Sequence, residues 1–246
     1  MYLNFIIPTI LALYAGYAKK VTIPGTLLAW LFGIIIYTWG NYPAFIALAT
    51  VFILTILSDK IKKTKKDGTR NIKQMISNVL TATLCIILHY ITDNNVFYIM
   101  YYCVIGSSLA DTLASSIGTL SRKKPINIFT MKKIETGQSG GVSLLGIFAS
   151  LCGGMIVGVI YLEVDANFSN FLLISFMGLC GSIFDSILGT IFEAKYQCIV
   201  CKKQVEEKKH CNKKTKLIKG FPMIDNNMVN LLSNIFVFVI CYILLY

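Results

Sequence analysis

Charge is scarce in this chain. Only 14% of its 246 residues are Asp, Glu, Lys or Arg, against about a quarter in a soluble domain. With 55% hydrophobic residues and a mean hydropathy of +0.66, a soluble globular protein is excluded. No Walker sequence GxxxxGK[ST] is present, which excludes a P-loop enzyme. Despite a net charge of +11, the basic stretches carry no nucleic-acid-binding motif, so nucleic acid is not an expected partner. The first apolar stretch, Tyr2 to Ala18, lacks the basic start and small-residue cleavage site of a secretory signal, and is expected to stay as a permanent helix.

What is present is a series of apolar stretches near the length needed to cross ~30 Å of hydrocarbon. They run over 2–18, 23–40, 43–58, 75–92, 96–119, 139–162, 171–193 and 228–246. The expected fold is all-α: one integral membrane domain, 1–246, built as a polytopic bundle of about eight transmembrane helices. All 23 Lys and Arg fall in the first, third, fifth and seventh loops; the even loops and both termini have none. By the positive-inside rule the odd loops are cytoplasmic, the principal ones being 59–74, 120–138 and 194–227. A multi-pass protein of the cell membrane with both termini outside is expected. The one-sided charge serves topology and attraction to anionic headgroups; it also suits the collection of an anionic substrate.

Inside the fifth span lies SSLADTLASSIG, with an ionisable acid among apolar residues. On a helix, Ser108, Asp111, Thr112 and Ser115 form one polar stripe. The seventh span repeats it with Ser182, Asp185, Ser186 and Gly189, each 74 residues later. The expected bundle therefore contains an internal Asp-bearing repeat in helices 5 and 7. Small residues at this spacing also allow close helix packing in membranes. Packing does not account for an Asp in each copy, because a carboxylate at membrane depth costs ~2.5–3.5 kcal/mol even on insertion scales. Two such acids with hydroxyls one turn away offer oxygen ligands for Mg²⁺.

Between the two stripes comes MKKIETGQSGGVSLLG. GQSGG is expected to open the sixth helix, where uncovered backbone N–H groups and the helix dipole attract anions. Gly137, Ser139, Gly140, Gly141 and Ser143, with Lys132, Lys133 and Glu135 just before them, are candidate phosphate-site residues. Two further polar groups face the same side. Arg70, Asn71, Gln74 and Asn78 lead into the fourth span, and Asp225, Asn226, Asn227 and Asn230 into the eighth. Capping explains Asp225 or Asn226; it does not explain Asn230 and Asn234 farther in, which suit a site wall.

Five of the eight cysteines lie in apolar spans, where Cys behaves as a small hydrophobe. Cys198, Cys201 and Cys211, beside His210, share the seventh loop. CxxC on a reducing loop reads as a metal site before a disulfide, so structural Zn²⁺ is a candidate; solvated thiols and redox use are the alternatives. Adjacent His210 and Cys211 depart from usual zinc-ligand spacing.

These segments in this order (SSLADTLASSIG, TGQSGGVSLLG, GSIFDSILGT, CxxC…HC and DNNMVNLLS) resemble the integral membrane DUF92 family over nearly the whole chain. That resemblance implies phosphoryl transfer from a nucleoside triphosphate, with CTP expected, to an isoprenyl monophosphate such as phytyl, farnesyl or geranylgeranyl phosphate. On that reading Asp111 and Asp185 hold Mg²⁺, Lys132, Lys133 and the GQSGG amides neutralise phosphates, and Asn78, Asn227 and Asn230 orient nucleotide or acceptor. A CTP-dependent lipid cytidylyltransferase is the alternative within the same chemistry. A proton- or cation-coupled transporter using the paired Asp is the rival from another class. Against transport, both repeat helices run the same way and the polar groups gather on one face.

Overall fold

The computed structural model describes residues 2–61 and 69–246; residues 62–68 of the expected 59–74 loop, Lys66 among them, lie outside the described residues. Among the described residues seven α-helices carry the fold: α1 (Leu3–Tyr17), α2 (Ile23–Ile61), α3 (Ile72–Thr92), α4 (Asn95–Ile117), α5 (Leu144–Leu162), α6 (Phe168–Ile191) and α7 (Asn226–Leu245). Six of them, α2 to α7, are long and apolar enough to cross a membrane, and α1 is a shorter apolar helix of 15 residues. The chain is an all-helical polytopic membrane protein.

The eight expected stretches relate to these seven helices through α2, which breaks at Asn41 (φ 61, ψ −178). A Cβ placed on Gly33 would touch Phe45 Cε2 at 3.5 Å, and the Tyr37 and Phe45 rings are 5.0 Å apart. Along one straight helix residues 33 and 45 would be separated by about 18 Å, so the chain reverses at Asn41 and α2 is two antiparallel limbs. Pro43 opens the second limb, where a missing N–H costs no helical bond. At the end of the first limb, the Gly40 carbonyl accepts from Tyr98 Oη at 2.6 Å.

Helix starts follow the polar caps in the sequence. Asn71 and Gln74 form a reciprocal capping box on α3, and Asn94, Ser143, Asn167 and Asp225 cap α4, α5, α6 and α7. The two Asp-bearing helices, the expected fifth and seventh, are α4 and α6. They run parallel from asparagine caps, with α5 returning between them. Those three pack at backbone distance: a Cβ on Gly178 would lie 2.8 Å from Gly154 Cα, which no side chain tolerates. α4 is the central helix, with Met100, Tyr101, Tyr102, Ile105 and Leu109 fully buried.

One expected boundary is corrected. GQSGG does not open a helix, because α5 begins at Leu144. Gly137 (φ +87) and Gly140 (φ +80) adopt turn conformations that only glycine enters without cost. Gly141 and Val142 then form β2, paired antiparallel with β1 (Ile126–Asn127). The 194–227 loop also has local structure: β3 (Lys195–Gln197), β4 (Gln204–Val205) and β7 (Lys216–Lys219) make a three-stranded sheet in the order β4-β3-β7, and β5 (Lys209–His210) pairs with β6 (Lys213–Lys214).

The loops sort to two ends. Val21 bridges to Arg70, and residues from the third, fifth and seventh loops line one cavity. Asn41, Asn95 and Val164, from the second, fourth and sixth connections, share a second recess with the neighbouring helix residues Pro43, His89 and Tyr98. Every Lys and Arg in the described residues thus lies in a loop of the first set or, for Lys60 and Lys73, in the helical turn beside one.

Candidate functional site

The cavity at the cation-bearing end has a volume of about 580 Å³. α4 contributes Asp111, Thr112 and Ser115; α6 contributes Ser182, Asp185 and Ser186. The repeat has therefore placed its two carboxylates on one space, close enough for their charges to act on each other. α3 and α7 close a third side with Gln74, Asn78, Asn226, Asn227 and Asn230. Ser233 Oγ donates to Asp185 Oδ2 at 3.3 Å. The Asn230 amide lies 3.2 Å from Asn78 Oδ1 and, with its nitrogen turned to the carboxylate, donates to Asp185 Oδ2 at 3.0 Å.

The glycine-rich turn forms part of the wall: Gly137, Ser139, Gly140, Gly141 and Ser143 all line the cavity. Asn127 anchors this loop. Its side chain is buried, its Oδ1 accepts from the Phe129 and Thr130 amides at 3.1 and 2.9 Å, and its Nδ2 donates to Thr190 Oγ1 on α6 at 3.3 Å. Ser139 Oγ donates to Glu193, a carboxylate only 2% exposed.

Several expected site residues stand elsewhere. Lys132 and Lys133 are solvent-exposed and absent from the cavity lining; Lys133 instead bridges Ile126. Glu135 pairs with Lys124 at 3.0 Å on the surface. Asn71 and Asp225 are spent as helix caps. Ser108 sits beneath the cavity, donating to the Asn78 carbonyl at 2.9 Å and accepting from Asn234 Nδ2 at 3.0 Å, so it ties α4 to α3 and α7.

The cations that do reach the cavity are Arg70, ion-paired with Asp59, and Lys195, whose Nζ donates to the Ser139 carbonyl at 2.9 Å. Burial pulls the Lys195 ammonium below its usual range, with Glu193 opposing and Lys219 adding to the shift. The signal for Lys195 was present in the sequence, since it is the first cation after Asp185. Asp59, Lys195, Gln204, Glu206 and Glu207 are lining residues that no motif flagged.

Among the described lining residues the acids are Asp59, Asp111, Asp185, Glu206 and Glu207, against the two cations. Such a surplus of carboxylate repels a phosphate compound unless a divalent cation enters with it. The donor set around Asp111 and Asp185 is oxygen throughout (carboxylate, hydroxyl, side-chain amide), which fits a hard cation such as Mg²⁺. On the far side of α5's first two turns, Leu144 and Phe148 face outward, 70% and 65% exposed, while Gly146, Ile147 and Ser150 face in. One helix thus separates the cavity from lipid.

A second cluster lies in the seventh loop. Cys198, Cys201, His210 and Cys211 present ligand atoms all within 4.8 Å of one another. The adjacent His210 and Cys211 can both face inward because Cys211 and Asn212 have positive φ (51 and 57), which turns the chain back between β5 and β6. Hydrogen bonding from the Cys201 backbone draws the Cys198 thiol down to about 6, while burial, then the neighbouring thiols, push Cys211 up to about 11. Three sulfurs and one imidazole nitrogen this close make a donor set suited to a cation such as Zn²⁺.

Comparison with known proteins gives the frame for these sites. An uncharacterized membrane protein of Methanocaldococcus jannaschii is 27% identical over 201 residues, covering 79% of this chain and 84% of that one. Protein PGR of Arabidopsis thaliana is 35% identical over 145 residues, 54% of this chain and 48% of that protein. An uncharacterized membrane protein of Synechocystis is 28% identical over 200 residues, 75% and 74% of the two chains. No solved structure matches. The family model described as integral membrane protein DUF92 matches residues 6–238, a range that holds both Asp-bearing helices, the glycine turn, the cysteine cluster and the asparagines of α7. This chain therefore belongs to the DUF92 family of integral membrane proteins.

Proposed function

We propose that the protein is a nucleoside-triphosphate-dependent kinase, with CTP as donor, that converts an isoprenyl monophosphate to its diphosphate at the cytoplasmic side of the cell membrane. The observation that carries the reading is the convergence of both repeat carboxylates and the glycine-rich turn on one cavity at the cation-bearing end. The separation of this cavity from lipid by α5 alone suits an acceptor whose tail stays in the bilayer. The resemblance noted in the sequence supplies the substrate class.

Phosphoryl transfer asks a protein mainly for alignment and charge neutralisation. An acceptor phosphate oxygen would bond to the γ-phosphorus as the β–γ bridging bond breaks, releasing the nucleoside diphosphate. Mg²⁺, when bound, would supply charge neutralisation at the phosphate oxygens. Asp111 and Asp185 would hold it, with Ser233 and Asn230 fixing the Asp185 carboxylate. The Ser139 and Gly140 backbone would approach the phosphates, while the Gly141 amide is already spent on the Gln138 carbonyl at 3.2 Å. Arg70 and Lys195, the two cations on the lining, would take the role first expected of Lys132 and Lys133.

The test is purified protein with Mg²⁺, each nucleoside triphosphate in turn and farnesyl, geranylgeranyl or phytyl phosphate. Prenyl diphosphate with a nucleoside diphosphate is expected. Pyrophosphate with a CDP-lipid would instead make it a cytidylyltransferase; no turnover, with substrate uptake into vesicles, would make it a transporter. Asp111→Asn and Asp185→Asn should each insert normally yet lose about 10²–10³-fold in turnover, several kcal/mol of transition-state stabilisation. Unchanged turnover in both would return the stripes to helix packing.

A further inference from the structure

We propose that Cys198, Cys201, His210 and Cys211 bind one Zn²⁺, and that this centre holds the Gly137–Gly141 turn in place at the cavity wall. The proposal does not depend on which reaction the cavity runs. Four ligands at the corners of a zinc tetrahedron, with Zn–S near 2.3 Å and Zn–N near 2.0–2.1 Å, lie about 3.5–3.8 Å apart. His210 Nδ1 is 3.2 Å from Cys211 Sγ and 3.5 Å from Cys201 Sγ, and all four ligand atoms fall within 4.8 Å. Three thiols and one imidazole fill every position, so the ion would be structural, with no open site for chemistry. Binding would release up to three protons and leave the centre with a formal charge of −1. Lys202, Lys203, Lys209 and Lys213 stand next to the ligands or one residue beyond them in the chain, and offset that charge.

The local fold needs such an ion. Residues 199–204, the knuckle joining β3 to β4, are all exposed, so no apolar core holds them. Their shape rests on short-range bonds: the Cys198 amide donates to the Lys203 carbonyl at 2.9 Å, and the Lys202 amide to the Cys198 carbonyl at 3.0 Å. The Val200 amide points at Cys198 Sγ at 3.4 Å, as expected for a metal-bound thiolate.

The same knuckle is tied to the glycine turn. Lys195, three residues before Cys198 on β3, donates to the Ser139 carbonyl; Gln138 Nε2 donates to Gln204 Oε1 on β4 at 3.2 Å. Fixing β3 against β4 with a metal therefore fixes both anchors of residues 138 and 139. Glu206 and Glu207, just past β4, reach the cavity by the same route.

The experiment uses the full chain in detergent, purified without chelator. Elemental analysis should find one zinc per chain, and Co²⁺ exchange should give the visible absorption of a tetrahedral thiolate site. Cys201→Ser and His210→Ala should lose most of the metal. Gln204→Ala keeps every ligand, so it should retain full zinc yet speed amide hydrogen exchange across 138–141, as chelation does, while α4 amides stay protected. Metal far below one equivalent with no cobalt spectrum, or an intact disulfide among these cysteines, overturns the site. Stoichiometric zinc whose removal leaves exchange at 138–141 unchanged overturns the positioning role. Neither readout uses substrate, so both outcomes are separate from success or failure of the kinase assay.

Discussion

Replacing Gly140 with alanine should unsettle the turn that lines the cavity, and the cost can be worked out from two local facts. Gly140 has φ +80, a conformation that costs an L-residue about 1–2 kcal/mol. The added Cβ would also overlap Thr190 Oγ1 and lie 2.9 and 3.0 Å from Thr190 Cβ and Cα on α6; overpacking of that kind costs about 1–3 kcal/mol. A loss of about 3 kcal/mol lies within the combined range, equal to roughly 6–12 °C in Tm for a chain of this length. Thr190 cannot swing aside freely, because its hydroxyl accepts from Asn127 and donates to the Ser186 carbonyl at 3.0 Å. Thermal melts in detergent of wild type, Gly140→Ala, Thr190→Ala and the double variant form a mutant cycle. The double variant should be less destabilised than the sum of the singles by more than ~0.5 kcal/mol, since Thr190→Ala removes the Oγ1 overlap. Additive effects, or a Gly140→Ala melt indistinguishable from wild type, would refute the close approach of this turn to α6.

Lys195 gives a pH prediction. Its folded value lies below the ordinary 10.5, with burial the leading cause. Below the folded value both states carry the proton and the cost is constant; above it the unfolded chain holds more protons, so stability should rise with pH up to about 10.5. Lys195→Met should flatten that rise, and a matching profile in both proteins would refute it. Topology is tested with single cysteines added near Lys124, Lys209, Asn94 and Asp165, read against the parent chain's own labelling. An impermeant reagent outside the cell should reach the last two only, and labelling near Lys124 would reverse the assigned orientation.

Periodicity and charge made most of the bundle legible, because spans must be apolar and cations must stay at one end. The paired stripes were also readable, since a helix places residues 108, 111, 112 and 115 on one face wherever the helix ends up. What could not be read was any contact between loops. GQSGG suits a helix start and a glycine turn equally by composition; the close approach of Gly140 to Thr190, 50 residues away, selects the turn. The same holds for the cations. Lys132 and Lys133 stand beside the glycines in sequence but are exposed to water, with Lys133 bridging to Ile126 of β1. Lys195 reaches the Ser139 carbonyl because α6 delivers it there. The reversal of α2 at Asn41 was visible as a gap between two apolar stretches, while the tyrosine that satisfies the Gly40 carbonyl comes from α4.

The near-touching backbones of Gly154 and Gly178 bear on how the protein meets bilayers of different thickness. A helix pair cushioned by long side chains can slide or splay when the surrounding lipid thins, because rotamers absorb the shift. Here little side-chain material lies between α5 and α6 at that point, so the neighbouring helices are keyed like gear teeth. Mismatch costs only fractions of a kcal/mol per Å and is relieved by whichever element tilts most easily. The short helix α1, with Leu3, Phe5, Ile10 and Leu13 exposed on its outer face, would take up that strain. The spacing of Asp111 and Asp185 would then be the same in a thin membrane as in a thick one, and the chemistry at the cavity would be insensitive to the lipid in which the protein is placed.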